Sequence, residues 1–193
     1  MEEIYVERIK ENLFSKKSGL LQRIIGKFGK RSVFFIGDLH LDHANIIKYC
    51  NRPFSSVEEM NNTMVNNWNN AIKKDDVVFF LGDMAFGRGS RKADYWINKL
   101  NGNIIFIRGN HDSAKDIKYF DNITLNLKGL KLLLVHNPAS IPNDWTGWCM
   151  HGHVHDKSPL IDRKNKRINV SVEALNYKPL SLRILLELMQ NER

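Results

Sequence analysis

A short apolar run, closed by a glycine and followed at once by a polar side chain, occurs three times in this sequence, within residues 33–40, 77–83 and 103–112. Each run has the length and the β-branched or aromatic content of a buried strand, and the glycine lets the backbone bend sharply where the strand ends. Helical patterns separate the three runs, which predicts a largely parallel sheet. In such a sheet the carboxyl ends of the strands lie at one edge, where α/β proteins bind ligands.

The pattern of predicted secondary structure changes after residue 120. Two apolar runs over 123–127 and 130–135, joined by Lys128-Gly129, predict a β-hairpin. Further strands are expected over 145–150 and 167–172, and a final helix is expected from Ser181. These patterns predict an α/β first half followed by a β-rich second half.

Length and composition set the domain organisation. A chain of 193 residues with 42% apolar residues buries one core well and two poorly, so residues 31–193 are expected to form a single domain. Residues 1–30 are interpreted as a basic helical lead-in, with seven Lys or Arg against four Glu and apolar residues roughly at helical spacing. Three roles stay open for it: packing on the domain, contact with a partner or oligomer, or an arm for nucleic acid or a membrane surface.

The net charge and the cysteine content limit which binding partners and which cellular compartment are expected. The formal net charge of +8 favours anionic partners such as phosphate esters or nucleic acid. Cys50 and Cys149 have neither a Cys-x-x-Cys spacing nor a disulfide framework. No apolar run approaches the ~20 residues of a membrane span. Because Glu2 and Glu3 precede any apolar stretch, a secretory signal is not expected, and the protein is predicted to be cytoplasmic.

Metal-ligand side chains collect at the predicted strand ends. They are Asp38, His40, Asp83, Asn110, His111, His136, His153 and His155. This set is too large for one ion that also binds substrate, and it suits two ions with a bridging carboxylate. Mixed nitrogen and oxygen ligands favour Mn, Fe, Zn, Co or Ni over Mg or Ca, and the absence of cysteine argues against a structural zinc site.

Such a pair of ions has a recognisable chemistry. Two ions ~3.5–4 Å apart would clamp a phosphate, acidify a bridging water and stabilise in-line displacement. The alternative is that these residues are unrelated loop polar groups and packed histidines. The repeated order of strand, glycine and ligand-type residue favours the metal centre over that alternative.

The same residues form an ordered signature that resembles the calcineurin-like metallophosphoesterases. The blocks are Gly37-Asp38-Leu39-His40, Gly82-Asp83, Gly109-Asn110-His111-Asp112, His136 and Gly152-His153-Val154-His155. The segments 51–54 and 169–181 further resemble small bacterial and phage members. The resemblance implies an α/β fold: a four-layer αββα sandwich of two mixed β-sheets flanked by helices, with the metals at one sheet edge.

The resemblance also implies roles for single residues. The first metal would be held by Asp38, His40 and His155. The second would be held by Asn110, His136 and His153, with Asp83 bridging the two ions. His111 would contact a phosphoryl oxygen or protonate the leaving alkoxide, and Asp112 would orient it.

Four further side chains are candidates for contact with the substrate. Arg52, Arg88 and Arg108 could each bind a phosphate bidentately, with a surface or packing ion pair as the alternative. His43 could face the substrate, although a supporting or helix-capping role fits its position as well.

The expected activity is a dinuclear-metal-dependent phosphoesterase, with manganese favoured as the ion. Phosphodiesters are the favoured substrate, hydrolysed by a hydroxide between the two ions, because a positioned imidazole at His111 helps a poor alkoxide leaving group to depart. Two alternatives remain: a nuclease that uses the basic lead-in, and a non-catalytic metal-containing scaffold. Nucleic acid and a second copy of the chain stay open as partners.

Overall fold

The computed structural model describes residues 4–10, 31–87, 90–127 and 130–190. It contains eleven β-strands in two sheets and four α-helices within these residues. In chain order the strands are β1 (Ile4–Lys10), β2 (Val33–Ile36), β3 (Val77–Phe80), β4 (Asn103–Ile107), β5 (Tyr119–Phe120), β6 (Asn122–Leu127), β7 (Leu130–Val135), β8 (Trp148–His151), β9 (Ile161–Asp162), β10 (Arg167–Asn169) and β11 (Leu180–Ser181). The helices are α1 (Ala44–Tyr49), α2 (Val57–Ala71), α3 (Ala93–Ile97) and α4 (Leu182–Gln190), with 3₁₀ turns at Pro138–Ser140 and His155–Lys157.

The five-stranded sheet has the order β11-β2-β3-β4-β5. Strands β2, β3, β4 and β5 are parallel, and β11 pairs with β2 in the antiparallel sense. The three glycine-terminated runs are therefore neighbours, with Ile36 beside Phe80 and Phe80 beside Phe106. This arrangement confirms the predicted parallel half of the fold.

The six-stranded sheet has the order β1-β6-β7-β8-β10-β9 and is also mixed. Its β6–β7 pair is the predicted hairpin. Strand β7 then pairs parallel with β8, and β8 pairs parallel with β10. Two mixed sheets with flanking helices confirm the predicted sandwich.

The N-terminal segment corrects one expectation. The stretch Ile4–Lys10 is a strand that pairs antiparallel with β6, so the helix predicted there is wrong. The register shifts between Val6 and Arg8. Such an irregularity interrupts a strict two-residue period, and the resulting spacing imitates a helical one. The rest of the predicted lead-in, residues 11–30, lies outside the described residues.

Two hydrophobic clusters hold the sheets and helices together. One lies between the sheets, where side chains of β2, β3 and β4 meet those of β6, β7, β8 and β10. The other lies on the opposite face of the five-stranded sheet, where it meets the helices. Met60, Met64 and Trp68 of α2 are buried there, as their i, i+4 spacing predicts. Ser56 caps α2 by accepting a hydrogen bond from the backbone N–H of Glu59.

No helix in the part of the chain that the structure describes is long and apolar enough to cross a bilayer.

The pairing of the strands brings their polar ends together. The backbone N–H of Asp38 donates to the carbonyl of Gly82 at 2.9 Å, and the backbone N–H of His40 donates to the carbonyl of Asp83 at 3.0 Å. In the other sheet, the backbone N–H of Gly152 donates to the carbonyl of His136 at 3.0 Å. The loops after β2, β3, β7 and β8 therefore converge at one end of the sandwich.

Candidate metal centre

The backbone is unusual at the predicted ligands. Five of the seven have a positive φ that side-chain-bearing residues rarely adopt: Asp38 (59°), His40 (49°), Asp83 (61°), His153 (71°) and His155 (52°). Each such conformation is costly and persists only where the surrounding structure imposes it. Their concentration in the loops at one end of the sandwich makes this end the candidate functional site.

The first group of ligand-type atoms comes from Asp38, His40 and His155, which all approach within 4.8 Å of one another. Asp38 is fully buried, and burial raises the pKa of its carboxyl to about 6 although nearby histidines lower it. Its carboxylate accepts the backbone N–H of His153 at 2.9 Å. A carboxyl whose charge is this poorly solvated is suited to neutralisation by a cation.

His40 gives the clearest sign that the group could hold a cation. Both of its ring nitrogens are buried, and neither has a hydrogen-bond partner among the described residues. Burial, together with the neighbouring His155 and Arg52, lowers the pKa of His40 to about 2, so its ring is neutral. A buried polar atom without a partner is costly, and a metal ion on the ring nitrogen removes that cost. The first group therefore fits a metal ion.

The second group comes from Asp83, His136 and His153, again within 4.8 Å of one another. The Nδ1 atom of His136 lies 2.7 Å from the carbonyl oxygen of Leu81. Because a carbonyl only accepts, Nδ1 carries a ring proton, and Nε2 is the nitrogen available to an ion. That Nε2 faces Oδ1 of Asn110 at 2.9 Å and Oδ2 of Asp83 at 3.4 Å. An imidazole nitrogen, an amide oxygen and a carboxylate oxygen that converge in this way are donors that fit a metal ion.

Asp83 lies between the two groups. Its Oδ2 atom is 3.5 Å from Nε2 of His40 and 3.4 Å from Nε2 of His136. Its other oxygen, Oδ1, accepts the backbone N–H of His111 at 2.9 Å. One oxygen is thus fixed by the protein, and the other is directed at one imidazole from each group.

The glycines that end the strands allow this close approach. A Cβ atom on Gly109 would collide with the carboxylate and the backbone nitrogen of Asp83. Gly82 has a φ of +90°, and a Cβ there would lie 2.6 Å from both the Cα of Gly109 and Nδ1 of His136. The glycine pattern of the sequence therefore has a steric cause at this site.

His111 lies beside the first group. Its ring centroid is 5.6 Å from that of His40 and 4.0 Å from that of Phe86, and the residue is partly exposed. His111 belongs to none of the clusters of ligand-type atoms found among the described residues. It thus lies beside the two groups without being one of their ligands.

Asp112 is not placed as expected. One carboxylate oxygen accepts the backbone N–H groups of Asp83 and Gly109, both at 2.9 Å, and the other accepts that of Met84 at 3.2 Å. The prediction that this carboxylate orients the imidazole of His111 is therefore corrected. The nearby N–H donors are backbone groups of two strand-end loops, and the carboxylate fixes those loops instead.

The three arginines expected to contact phosphate are placed differently. The expectation that Arg52 contacts substrate is corrected, because its side chain is 0% exposed and forms hydrogen bonds and an ion pair with buried groups of the protein. Arg108 is exposed and lies 4.7 Å from the ring centroid of Tyr119. Arg88 lies outside the described residues. A role in substrate binding stays a prediction for Arg88 and Arg108.

His43 occupies the N-cap position of α1, but its side chain makes no capping hydrogen bond. Its ring centroid is 5.7 Å from that of His40 and 5.0 Å from that of Phe86. Its buried Nδ1 atom has no hydrogen-bond partner among the described residues. The helix-capping alternative is thus not realised by the side chain, and contact with substrate stays a prediction.

Two residues near the centre were not predicted from the sequence. Phe86 is 38% exposed and packs against the rings of His43 and His111. The carboxylate of Glu173 is 3.0 Å from Nδ1 of His155. Phe86 gives no signal in a sequence read alone, and Glu173 lies in the segment 169–181 whose resemblance to small family members was noted without a role.

Glu173 changes the charge state of its neighbour. Burial lowers the pKa of His155, but hydrogen bonds with Cys50 and Glu173 outweigh it and raise the pKa to about 10. Burial alone would raise the pKa of Glu173, whereas the hydrogen bond from His155 and the charge of Arg52 hold it below its ordinary value. In the metal-free protein the two residues therefore form a charged pair, in which the buried Glu173 contacts His155 from outside the first group.

Known proteins are similar to this chain over much of its length. The model of the family described as calcineurin-like phosphoesterase matches residues 31–187. An uncharacterized protein of Methanocaldococcus jannaschii is 49% identical over 166 residues, which is 83% of this chain and 92% of that protein. The gene 66 protein of Mycobacterium phage L5 is 35% identical over 83 residues, which is 42% of this chain and 40% of the phage protein.

A solved structure gives the same picture of the fold. The protein of unknown function AQ665 from Aquifex aeolicus superposes with a TM-score of 0.64 at 25% identity, over 82% of this chain and 100% of that one. The family match extends from the residues before β2 into α4 and includes every predicted metal ligand. This chain belongs to the calcineurin-like phosphoesterase family.

Proposed function

We propose that this chain is a dinuclear-metal-dependent phosphoesterase and that phosphodiesters are its substrates. The observation that carries the proposal is the position of Asp83, whose Oδ2 is 3.5 Å from His40 and 3.4 Å from His136. A carboxylate oxygen directed at one imidazole of each ligand group suits a ligand shared by two ions. Membership of the family supports a hydrolase of phosphate esters.

The proposed division of the ligands between two ions is the one that the family resemblance implies. Asp38, His40 and His155 would hold one ion, and Asn110, His136 and His153 the other, with Asp83 shared. Two divalent ions there would polarise the phosphate ester and lower the pKa of a water molecule. Manganese is the proposed ion, and the mixed nitrogen and oxygen donors suit Fe, Ni, Co and Zn as well.

His111 is proposed to give a proton to the departing oxygen. Its backbone N–H is bonded to Oδ1 of Asp83, which fixes the start of its loop at the centre. Its partly exposed imidazole lies beside His40, within reach of a bound ester. A diester expels an alkoxide of high pKa, so a proton donor speeds that step most where the leaving group is poor. Diesters with alkoxide leaving groups are therefore the proposed substrates.

Hydrolysis of two model esters tests the proposal. Metal-free protein is refilled separately with Mn, Ni, Zn or Mg and assayed with bis-p-nitrophenyl phosphate and p-nitrophenyl phosphate. We expect metal-dependent turnover that favours the diester and disappears in Asp83→Ala. Protein that carries two ions but hydrolyses neither ester with any metal would contradict a general phosphodiesterase.

The alternative functions remain predictions. The scaffold reading would be marked by missing ligands, and all seven predicted ligands are present in the described residues. The nuclease reading depends on residues 1–30, most of which lie outside the described residues. It predicts strongly salt-dependent binding to nucleic acid that deletion of residues 1–30 abolishes. Equal binding by the truncated protein would contradict it.

A further inference from the structure

A buried ion pair lies directly behind the first ligand group. The guanidinium of Arg52 donates to Oε1 of Glu173 from Nε at 2.9 Å, and its Nη2 lies 2.7 Å from the same oxygen. The side chain of Arg52 is 0% exposed and that of Glu173 is 4% exposed. A pair this deeply buried is expensive to desolvate, so its presence beside the metal centre calls for a specific role.

The remaining donors of Arg52 reach the loop that carries two metal ligands. Nη2 donates to the carbonyl oxygen of Asp38 at 2.8 Å, and Nη1 donates to that of Leu39 at 2.9 Å. Asp38 and His40, on either side of Leu39, both have a positive φ. The planar fork of Arg52 therefore holds the carbonyls of a strained turn in the orientation that directs both ligands to the centre.

The acid of the pair reaches the third ligand. Oε1 of Glu173 lies 3.0 Å from Nδ1 of His155. Because a carboxylate only accepts, Nδ1 carries the proton and Nε2 is the nitrogen left for an ion. Arg52 and Glu173 together therefore contact the backbone of Asp38 and Leu39, which leads to His40, and the ring of His155. Among the residues that the structure describes, no such contact to the second group is found.

We propose that Arg52 and Glu173 are positioning residues that hold Asp38, His40 and His155 in the geometry that binds the first metal ion. The inference rests on the metal centre of the proposed function, and it does not depend on turnover. It gives a role to the segments 51–54 and 169–181, which the phosphoesterase chemistry leaves unexplained.

A rival interpretation comes from the same residues. Cys50, His155 and Glu173 also bring ligand-type atoms within 4.8 Å of one another, and Oε2 of Glu173 is buried with no hydrogen-bond partner among the described residues. A further ion between Cys50, His155 and Glu173 would need His155 to bind it through Nδ1, the nitrogen that is hydrogen-bonded to Glu173. The rival therefore predicts a third ion that depends on Cys50.

Metal binding, measured without substrate, separates these interpretations. Metal-free full-length protein is titrated with Mn²⁺ by calorimetry, and the bound ions are counted by elemental analysis. His40→Ala and His153→Ala identify which binding step belongs to which ligand group. The test variants are Glu173→Gln and Arg52→Lys. The matched control is Glu187→Gln, the same chemical change in the exposed Arg183–Glu187 pair.

We expect Glu173→Gln to weaken the step assigned to the first group by about 10–100-fold, the range found for residues that support metal ligands. The step assigned to the second group should keep its affinity. Arg52→Lys should weaken the same step, because an ammonium cannot span two carbonyls and a carboxylate in one plane. Glu187→Gln should leave both steps unchanged.

Several results would overturn the inference. Unchanged binding in Glu173→Gln and Arg52→Lys would do so, as would equal weakening of both steps together with a lower melting temperature. A third ion lost in Cys50→Ser would establish the rival. If the single variants do not fold, Arg52→Met combined with Glu173→Gln removes both charges without stranding one, and must show the same selective loss. Wild-type protein that binds no ions would instead contradict the metal centre itself.

Discussion

The carboxylate of Asp112 accepts a hydrogen bond from the backbone N–H of Asp83 at 2.9 Å, although 29 residues separate the two in sequence. The same oxygen accepts the N–H of Gly109. The loops after β3 and β4 are therefore tied together at the point where Asp83 turns its side chain between the two ligand groups. Asp112 acts on the centre through the backbone that carries Asp83.

This arrangement predicts the effect of Asp112→Asn. The side chain of the variant would be neutral, and its NH₂ group would face backbone N–H donors where the wild-type carboxylate presents an oxygen. The variant therefore loses hydrogen bonds to a charged acceptor, each of which stabilises the fold by about 1.5–3 kcal/mol. We expect a lower free energy of unfolding in urea and weaker Mn²⁺ binding. Asp116→Asn, an exposed aspartate four residues away, is the control. An altered pH–rate profile with unchanged stability and unchanged metal binding would instead favour the orienting of His111.

The shared position of Asp83 predicts a different result for Asp83→Asn. The neutral side chain keeps the size of the carboxylate but loses the charge beside two imidazoles. We expect metal binding and diester turnover to fall by at least about 100-fold, since lesser changes around metal ligands already cost 10–100-fold. Asp75→Asn, an exposed carboxylate outside the centre, should change neither. Retention of two tightly bound ions in Asp83→Asn would show that Asp83 is not shared.

The proposed proton donation by His111 predicts a dependence on the leaving group. His111→Ala should keep both metal ions but lower turnover of diesters with alkyl leaving groups by about 10²–10⁴-fold, the usual contribution of a general acid. Nitrophenyl esters should lose far less, because their leaving group needs no proton. The measurement is kcat/KM for the two ester types with equal metal content. Equal losses on both would remove the acid role.

The charge on His155 predicts how the stability of the metal-free protein varies with pH. Its pKa of about 10 lies above the unfolded value of 6.5, so the stability it contributes is complete below pH 6.5 and is lost as the pH rises through 10. Burial lowers the pKa of four other histidines, His40, His43, His151 and His153, and their effect opposes that of His155 up to about pH 7.5. From about pH 7.5 to 8.5 we therefore expect the free energy of unfolding in urea to fall by up to ~1 kcal/mol per pH unit. Asp38 at about 6 and Cys149 at about 12 titrate in the folded protein outside this window.

Glu173→Gln provides the check on this assignment. Removing the carboxylate removes one cause of the raised pKa of His155, so the slope of stability against pH should become shallower. Glu187→Gln should keep the wild-type slope. A slope that stays the same in Glu173→Gln would show that another group titrates in this range.

Much of the centre was predictable because short-range patterns encode it. An apolar run that ends in glycine specifies a buried strand and a tight bend, and parallel pairing then brings successive strand ends together. Asp38, Asp83 and Asn110 follow three such runs, and the structure places them at one end of the sandwich. The chemistry of their side chains already pointed to metal ions.

The failed predictions share a physical cause. The sequence does not show whether an arginine side chain faces solvent or the interior. For Arg52 the structure shows a buried side chain surrounded by backbone carbonyls and Glu173. Asp112 was assigned to its sequence neighbour His111, whereas its partners include Asp83 and Met84 from another loop. For Ile4–Lys10, pairing with β6 decided between strand and helix, and that partner lies more than 100 residues away.

The sequence by itself determined most of the strands, the glycine bends and, with the family resemblance, the proposed ligand set, because these depend on local periodicity and on side-chain chemistry. Only the tertiary structure decided the distances from Asp83 to an imidazole of each group and the contacts of Arg52 and Glu173 with the first group. Those relations join residues far apart in the chain, and distances between such residues exist only once the two sheets have packed.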